Sequence, residues 1–225
     1  IPGIKVIFDP KSLNSLSPDS LMFLLQEPGE FGAGNSGFGS VGGDTKGDTL
    51  AVSSLTLDPH TAHPHLHLSA DAREARGQLQ PRDAPEHPER FDFEPCVLAR
   101  GGFTSGRHFW EVEVGQGGVW ALGVMRESSR RKGPLSLTPK EGVWALEAFH
   151  SLTSPRAKLR LHPPPRRLRV ALDYEGGSVA FLDAEDGALL FVFSRAAFGG
   201  ERLRPWLWVV GARSRLRVKL CGFGV

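Results

Sequence analysis

Strict alternation of apolar and charged residues is the feature that most constrains what this chain can fold into. Residues 110–114 read Trp-Glu-Val-Glu-Val, so Trp110, Val112 and Val114 share one face of an extended strand and the glutamates share the other. Residues 213–220 repeat the pattern, with basic residues at the odd positions up to 219 and aliphatic residues at 216, 218 and 220. A period of two residues predicts β-strands with one buried face.

Other short apolar runs are separated by Gly, Pro, Asp and Ser. The turn signal Asp-Tyr-Glu-Gly-Gly at 173–177 joins two of these runs and predicts a hairpin. Many short strands with a turn about every ten residues predict an all-β fold, an antiparallel β-sandwich. We expect Trp110, Trp120 and Trp144 in its core, because each lies among aliphatic residues. The further predicted strands are 119–124, 142–149, 166–172, 178–182, 189–193 and 206–210.

The first 52 residues differ in composition from the rest of the chain. A short strand is possible at residues 4–8, and Ser17–Ser20 followed by five apolar residues predicts a short capped helix. The tract 29–47 is rich in glycine and predicts a flexible linker, because glycine loses much backbone entropy on folding. We therefore predict an appendage with a linker over 1–52, a folded domain over 53–221 and a tail over 222–225.

Composition narrows the class of protein. The hydrophobic share is 40% and the charged share 23%, enough for a sizeable core, and the net charge of +2 does not by itself favour nucleic acid or membranes. No apolar run is long enough for a membrane span, and the chain begins at Ile1, so we expect a piece of a longer cytoplasmic protein. Cys96 and Cys221 are expected as reduced thiols, with a single long-range disulfide left as the alternative.

Ordered sequence blocks between residues 53 and 221 resemble the PRY-SPRY (B30.2) domain of tripartite-motif proteins and butyrophilins. One block contains the Trp-Glu-Val signature at residues 110–112. The resemblance implies a concanavalin-like jelly-roll sandwich with a short PRY segment on its N-terminal side. The blocks that carry it are 57–69, 88–98, 103–114, 120–124, 172–176 and 198–206.

The resemblance also implies where ligands bind, on a shallow surface made by one sheet face and loops. Alternation places Glu147 and Phe149 on the side of their strand opposite Trp144 and Leu146. Two alternatives stay open: Phe149 packs at the base of a loop, or Trp208 joins Trp206 in the core. The predicted ligand-binding face consists of Ala121, Met125, Arg126, Glu147, Phe149 and Trp208.

Motifs for other chemistry are weak. The G-x-G-x-x-G at 32–37 lacks the flanking strand and helix of a dinucleotide site, so no cofactor is expected. The histidines at 60, 63, 65 and 67 lack a completing ligand, so no metal is expected. Glu111 and Glu113 are expected on a solvated face rather than as a catalytic pair. The basic clusters at 126–132, 156–169 and 202–219 predict a solvated face, with an acidic protein partner as the alternative and nucleic acid last.

The predicted function is therefore recognition of a protein or peptide by a monomeric, non-enzymatic domain. The resemblance suggests that it selects targets for a ubiquitin ligase whose RING lies elsewhere. The alternative is a cytosolic butyrophilin-like domain that senses a small phosphorylated ligand through basic residues. A third possibility, an enzyme, lacks supporting catalytic motifs.

Overall fold

The computed structural model describes residues 14–25, 55–115, 117–148, 150–151, 157–158 and 164–219. Several sequence predictions lie outside these residues. They are the strand at 4–8, the glycine-rich linker with its G-x-G-x-x-G motif, Phe149, Cys221 and the tail.

The described residues form one α-helix and thirteen β-strands. The helix α1 is Pro18–Leu25, and a 3₁₀ turn spans Pro139–Glu141. The strands are β1 Leu66–Leu68, β2 Glu74–Gly77, β3 Cys96–Leu98, β4 Arg107–Val114, β5 Val119–Arg126, β6 Val143–Glu147, β7 His150–Ser151, β8 Ala157–Lys158, β9 Arg167–Asp173, β10 Ser178–Asp183, β11 Leu189–Phe193, β12 Leu203–Val210 and β13 Arg215–Lys219.

The strands form two antiparallel sheets that pack face to face. One sheet has seven strands in the order β1-β2-β13-β4-β9-β10-β11, and the other has six in the order β3-β12-β5-β6-β7-β8. The ends of each strand predicted from an apolar run lie within three residues of the ends of an observed strand. The predicted all-β sandwich is confirmed, including the hairpin that joins β9 to β10 through residues 174–177.

The main core lies between the two sheets. Trp110 from the seven-stranded sheet and Trp120 and Trp144 from the six-stranded sheet are each at most 5% exposed. Alternation puts Val112 of β4 on the same inner face as Trp110, and Leu122 of β5 on the same inner face as Trp120. The prediction that the three tryptophans are core residues is confirmed.

The outer face of the seven-stranded sheet carries alternating charges. Glu113 lies between Arg217 and Arg167 on the neighbouring strands, and Glu111 lies between Lys219 and Arg169. The expectation of a solvated Glu111 is wrong, because this side chain is only 5% exposed. Its carboxylate contacts Arg167 at 3.2 Å and Arg169 at 3.1 Å, and the long arginine stems exclude water from it.

The N-terminal helix packs on the same outer face, over the edge formed by β9, β10 and β11. The hydroxyl of Ser17 accepts a hydrogen bond from the Ser20 amide at 3.1 Å and so caps the helix, as the sequence predicts. Phe23 of α1 is 7% exposed and joins a cluster with Ala171 and Ala180 of the sheet. A buried hydrogen bond from the Ser20 hydroxyl to Asp173 Oδ2, 2.7 Å long, fixes the helix further. The helix is thus docked against the sandwich, while the domain boundary at residue 53 stays a prediction.

A buried guanidinium joins the N-terminal segment 55–100 to the six-stranded sheet. Arg204 of β12 is 4% exposed and donates from Nε to the carbonyl of Ala99 at 2.7 Å. Its Nη2 atom lies 3.1 Å from the carboxylate of Asp58, and its Nη1 atom lies 3.0 Å from that of Glu127. One side chain therefore connects a strand, the N-terminal segment and the loop that follows β5.

We expect Arg204→Ala to lower the free energy of unfolding by about 3–5 kcal/mol, because the largely buried carboxylate of Asp58 loses its arginine partner. Arg100→Ala is the matched control, since Arg100 is exposed and should change stability by less than about 0.5 kcal/mol. Urea unfolding monitored by tryptophan fluorescence measures both. A loss below about 1 kcal/mol for the Arg204 variant would contradict the proposed tie.

We expect Phe23→Ala to lower the free energy of unfolding by about 2 kcal/mol, since the ring loses its burial against the sheet. Met22 lies next to it on α1 but is 60% exposed, so Met22→Ala should have little effect. Thermal unfolding of both variants measures the difference. Equal melting temperatures for the two variants would mean that the helix contributes nothing to stability.

Candidate functional site

Loops cover about half of the outer face of the six-stranded sheet. Beneath them lies a second apolar cluster, which we call the outer cluster and which is separate from the core between the sheets. Leu135 and Leu137 from the loop 127–138 pack against it. Its buried members are Phe91, Cys96, Leu98, Ala121, Met125, Val143, Ala145 and Trp206.

The covering loop is tied to the preceding segment 85–95 by polar contacts. Lys132 donates from Nζ to the carbonyl of His87 at 2.9 Å and to that of Arg90 at 2.8 Å. The amide of Gly133 donates to Asp92 Oδ1 at 2.7 Å. These contacts hold the two segments together over the sheet, so this half of the outer face is closed to a partner.

Beside this cover, described residues of the outer face are exposed. Trp208 of β12, Ala121 of β5 and Glu147 of β6 are aligned as direct partners across three adjacent strands. Val210 and Val119 pair in the next row on the same face and are 38% and 44% exposed. We call these five residues the open face: Val119 and Val210 are exposed, Trp208 and Glu147 are half-buried, and Ala121, which is 1% exposed, forms the floor where the face meets the outer cluster.

Trp208 links the open face to the covering loop. Its indole Nε1 donates to Glu94 Oε2 at 3.1 Å, and the other carboxylate oxygen of Glu94 accepts the amide of Leu135 at 3.5 Å. The indole is half-buried, whereas Trp206 is fully buried in the outer cluster. The two tryptophans therefore differ in exposure, although they point to the same face of β12.

The structure separates two of the six predicted face residues from the rest. Met125 is 2% exposed within the outer cluster, since the covering loop lies over this part of the sheet. Arg126 points to the opposite face, where its guanidinium lies 5.1 Å from the ring centre of Trp144 and donates to the carbonyl of Ala197. Glu147 and Trp208 flank Ala121 in one row, but Ala121 is 1% exposed and belongs to the outer cluster, as Met125 does. Phe149 lies outside the described residues. Whether these residues bind a ligand stays a prediction.

Sequence reasoning missed the exposed apolar residues beside this row. Val119 and Val210 follow by alternation from Ala121 and Trp208, so the signal was present in the sequence. Only the pairing of β5 with β12 shows that the two valines are neighbours. Phe93, which is 59% exposed in the segment before β3, carries no periodic signal at all.

The chemistry of this region does not favour catalysis. Burial raises the pKa of the Cys96 thiol well above its usual value, so the thiol is protonated and a poor nucleophile. Burial also lowers the pKa of His63, whose Nδ1 accepts the His65 amide and whose Nε2 donates to the Asp92 carbonyl, each at 3.1 Å. Both ring nitrogens are thus occupied by structural hydrogen bonds. Within the described ranges, no group of three His, Cys, Asp or Glu side chains is arranged to hold a metal ion.

None of the described helices is long and apolar enough to span a membrane.

Comparison with curated proteins finds relatives of two kinds. Butyrophilin subfamily 1 member A1 of Bos taurus is 47% identical over 171 residues, which is 73% of this chain and 32% of that protein. The E3 ubiquitin-protein ligase TRIM11 of Bos taurus is 49% identical over 149 residues, 65% of this chain and 32% of that protein. The chain therefore spans about a third of the length of these relatives.

Solved structures agree on the fold. A structure titled Stonustoxin superposes with a TM-score of 0.64 at 26% identity, covering 73% of this chain and 28% of that one. The crystal structure of the TRIM65 PSpry domain superposes with a TM-score of 0.62 at 24% identity, covering 75% of this chain and 90% of that one. The second likeness, at such low identity, shows the fold alone.

Two family models match in sequence order. The SPRY-associated domain, PRY, matches residues 55–103, and the SPRY domain matches residues 107–222, which is more than half of the chain. Together the two matches form a B30.2 domain, as the ordered sequence blocks predict. This chain belongs to the PRY-SPRY (B30.2) family, a family of recognition modules that is shared by the butyrophilins and the tripartite-motif proteins.

Proposed function

We propose that this domain binds a protein or peptide on its open face and does so without catalysis. The observation that carries the proposal is the row of Trp208, Ala121 and Glu147 beside the exposed pair Val119 and Val210. Exposed apolar side chains grouped in one patch mark interaction surfaces more often than scattered ones do.

The properties of the open face suit a partner with an apolar anchor. Tryptophan is among the residue types that contribute most to protein interfaces, and the indole of Trp208 is already oriented by its hydrogen bond to Glu94. The side chains stand on central strands of a sheet, so little conformational entropy is lost when a partner binds.

The role in a longer protein is a further part of the proposal. One of the relatives is named an E3 ubiquitin-protein ligase and is 49% identical to this chain over the shared region. We infer that this domain selects targets for a ubiquitin ligase in the cytoplasm, as a monomeric unit, with the RING on another part of the protein.

A butyrophilin-like role is the second candidate, because a butyrophilin is 47% identical to the chain. In that role the domain senses a small phosphorylated ligand. None of the five residues of the open face is basic, whereas a phosphate is bound through cationic side chains. This charge pattern favours a protein or peptide as the ligand of the open face.

The test uses Val119→Arg and Glu147→Arg, which change exposed or half-exposed positions of the open face. A partner is first identified by affinity capture on the parent domain and then purified. We expect each variant to weaken binding by about 2 kcal/mol, roughly thirtyfold in Kd by isothermal titration calorimetry, because a misplaced charge disrupts an apolar contact.

Leu79→Arg serves as the control, since Leu79 is 76% exposed and lies outside the open face. All three variants should melt within a few degrees of the parent, because surface substitutions rarely change stability by more than about 0.5 kcal/mol. The proposal fails if the open-face variants bind the partner as tightly as the Leu79 variant does. If the domain binds a phosphorylated small molecule and Glu147→Arg leaves the Kd of that molecule unchanged, the result would also count against the open face as the ligand site.

A further inference from the structure

A wide, charged groove lies on the sheet opposite the open face. It has a volume of about 640 Å³ and crosses the outer face of the seven-stranded sheet at the ends of β4, β9 and β13. Its described lining is strongly charged and contains no aromatic residue. The lining residues are Glu74, Glu113, Val114, Gly115, Arg166, Arg167, Glu185, Arg215 and Arg217.

Two of the four lining arginines are already neutralised. Arg217 forms an ion pair with Asp71, and Arg167 lies 3.2 Å from the carboxylate of Glu111. The lining glutamate Glu113 is likewise paired, with the ammonium group of Lys219. These pairs make the floor of the groove nearly neutral.

The other two lining arginines are Arg166 and Arg215. Both side chains are exposed, and neither forms an ion pair with any described residue. Their backbones are fixed on either side of the end of β4, since the amide of Val114 donates to the Arg166 carbonyl at 2.9 Å and that of Gly115 to the Arg215 carbonyl at 3.0 Å.

The spacing of these two cations suits a pair of carboxylates. Arg166 and Arg215 flank one intervening strand, so their backbones are roughly 10 Å apart, or two strand spacings. Gly115 lies between them, and a Cβ atom at this position would fall 2.3 Å from Cγ of Arg215. Because Gly115 has no side chain, the side chain of Arg215 can lie across the end of β4 toward the groove.

We propose that this groove binds an acidic peptide segment of a partner protein, with Arg166 and Arg215 each contacting a carboxylate. Acidic residues two or three positions apart in an extended peptide are separated by about 7–10 Å, which both guanidinium groups can reach. Arginine contacts carboxylates through two parallel hydrogen bonds, which adds specificity to the attraction.

The other lining residues argue against nucleic acid at this site. Glu74, Glu113 and Glu185 alternate with the arginines, and a continuous phosphate backbone would meet these carboxylates. Single-stranded nucleic acid also favours aromatic side chains on which bases stack, and the described lining of the groove has none. A peptide can place its acidic residues at the arginines and other residues at the glutamates.

The test measures binding of a fluorescein-labelled acidic hexapeptide, Gln-Glu-Gln-Glu-Gln-Gln, to the 225-residue chain by fluorescence anisotropy at low salt. Hexaglutamine with the same label is the neutral comparison. We expect the acidic hexapeptide alone to bind, and the double variant Arg166→Gln, Arg215→Gln to weaken its binding about tenfold, the sum of two exposed ion pairs. The double variant Arg100→Gln, Arg195→Gln removes the same net charge from exposed positions outside the groove and should change the Kd less than about twofold.

Three results would overturn the proposal. The first is binding of the acidic hexapeptide no tighter than that of hexaglutamine. The second is an equal loss in both double variants, which would mean that net charge alone attracts the peptide. The third is tighter binding of labelled decathymidine that depends on Arg166 and Arg215, which would assign the groove to nucleic acid. None of these results bears on the open face, which lies on the other sheet.

Discussion

The buried guanidinium of Arg204 is the interaction on which the arrangement of the binding surface depends. It holds Asp58 from the N-terminal segment and Glu127 from the start of the covering loop against β12. A buried charge is costly unless its partners are in place, so the Arg204 contacts couple the packing of these three parts of the chain. Because the loop is anchored at Glu127, it lies over Met125 and leaves Ala121 and Trp208 at its border. The limit of the open face is thus fixed by a contact well inside the protein.

The outer faces of the two sheets differ in what covers them. The six-stranded sheet has apolar residues on both faces, so loops must cover much of its outer side, and the uncovered remainder is available to a partner. The seven-stranded sheet has a charged outer side, where cross-strand ion pairs replace a cover. At its far edge the outer side turns apolar around Ala171 and Ala180, and α1 packs there. The domain therefore presents two surfaces of different character, an apolar face and a charged groove, on opposite sheets.

Part of the candidate site was predictable because strand alternation is a local property. Glu147 was correctly placed opposite Trp144 and Leu146, since successive side chains on a strand point to opposite faces. The same rule could not predict that Met125 is buried, because its cover comes from Leu135 and Leu137 in a loop without periodicity. Arg126 was included in the predicted face together with Met125. Alternation places these two neighbours on opposite faces of β5, and the structure does so.

The sequence by itself determined the fold class, eight of the thirteen described strands, the inner tryptophans and the family, because each is encoded in short-range periodicity or in ordered local motifs. It also predicted the capped helix at Ser17, since capping depends on neighbouring residues. Only the tertiary structure decided that this helix packs on the sheet, that Glu111 is buried, and that Val119 lies beside Val210. It also brought Arg166 and Arg215, 49 positions apart in sequence, to one groove. These features depend on which strands pair and in what register, and that is settled by long-range packing rather than by any local pattern.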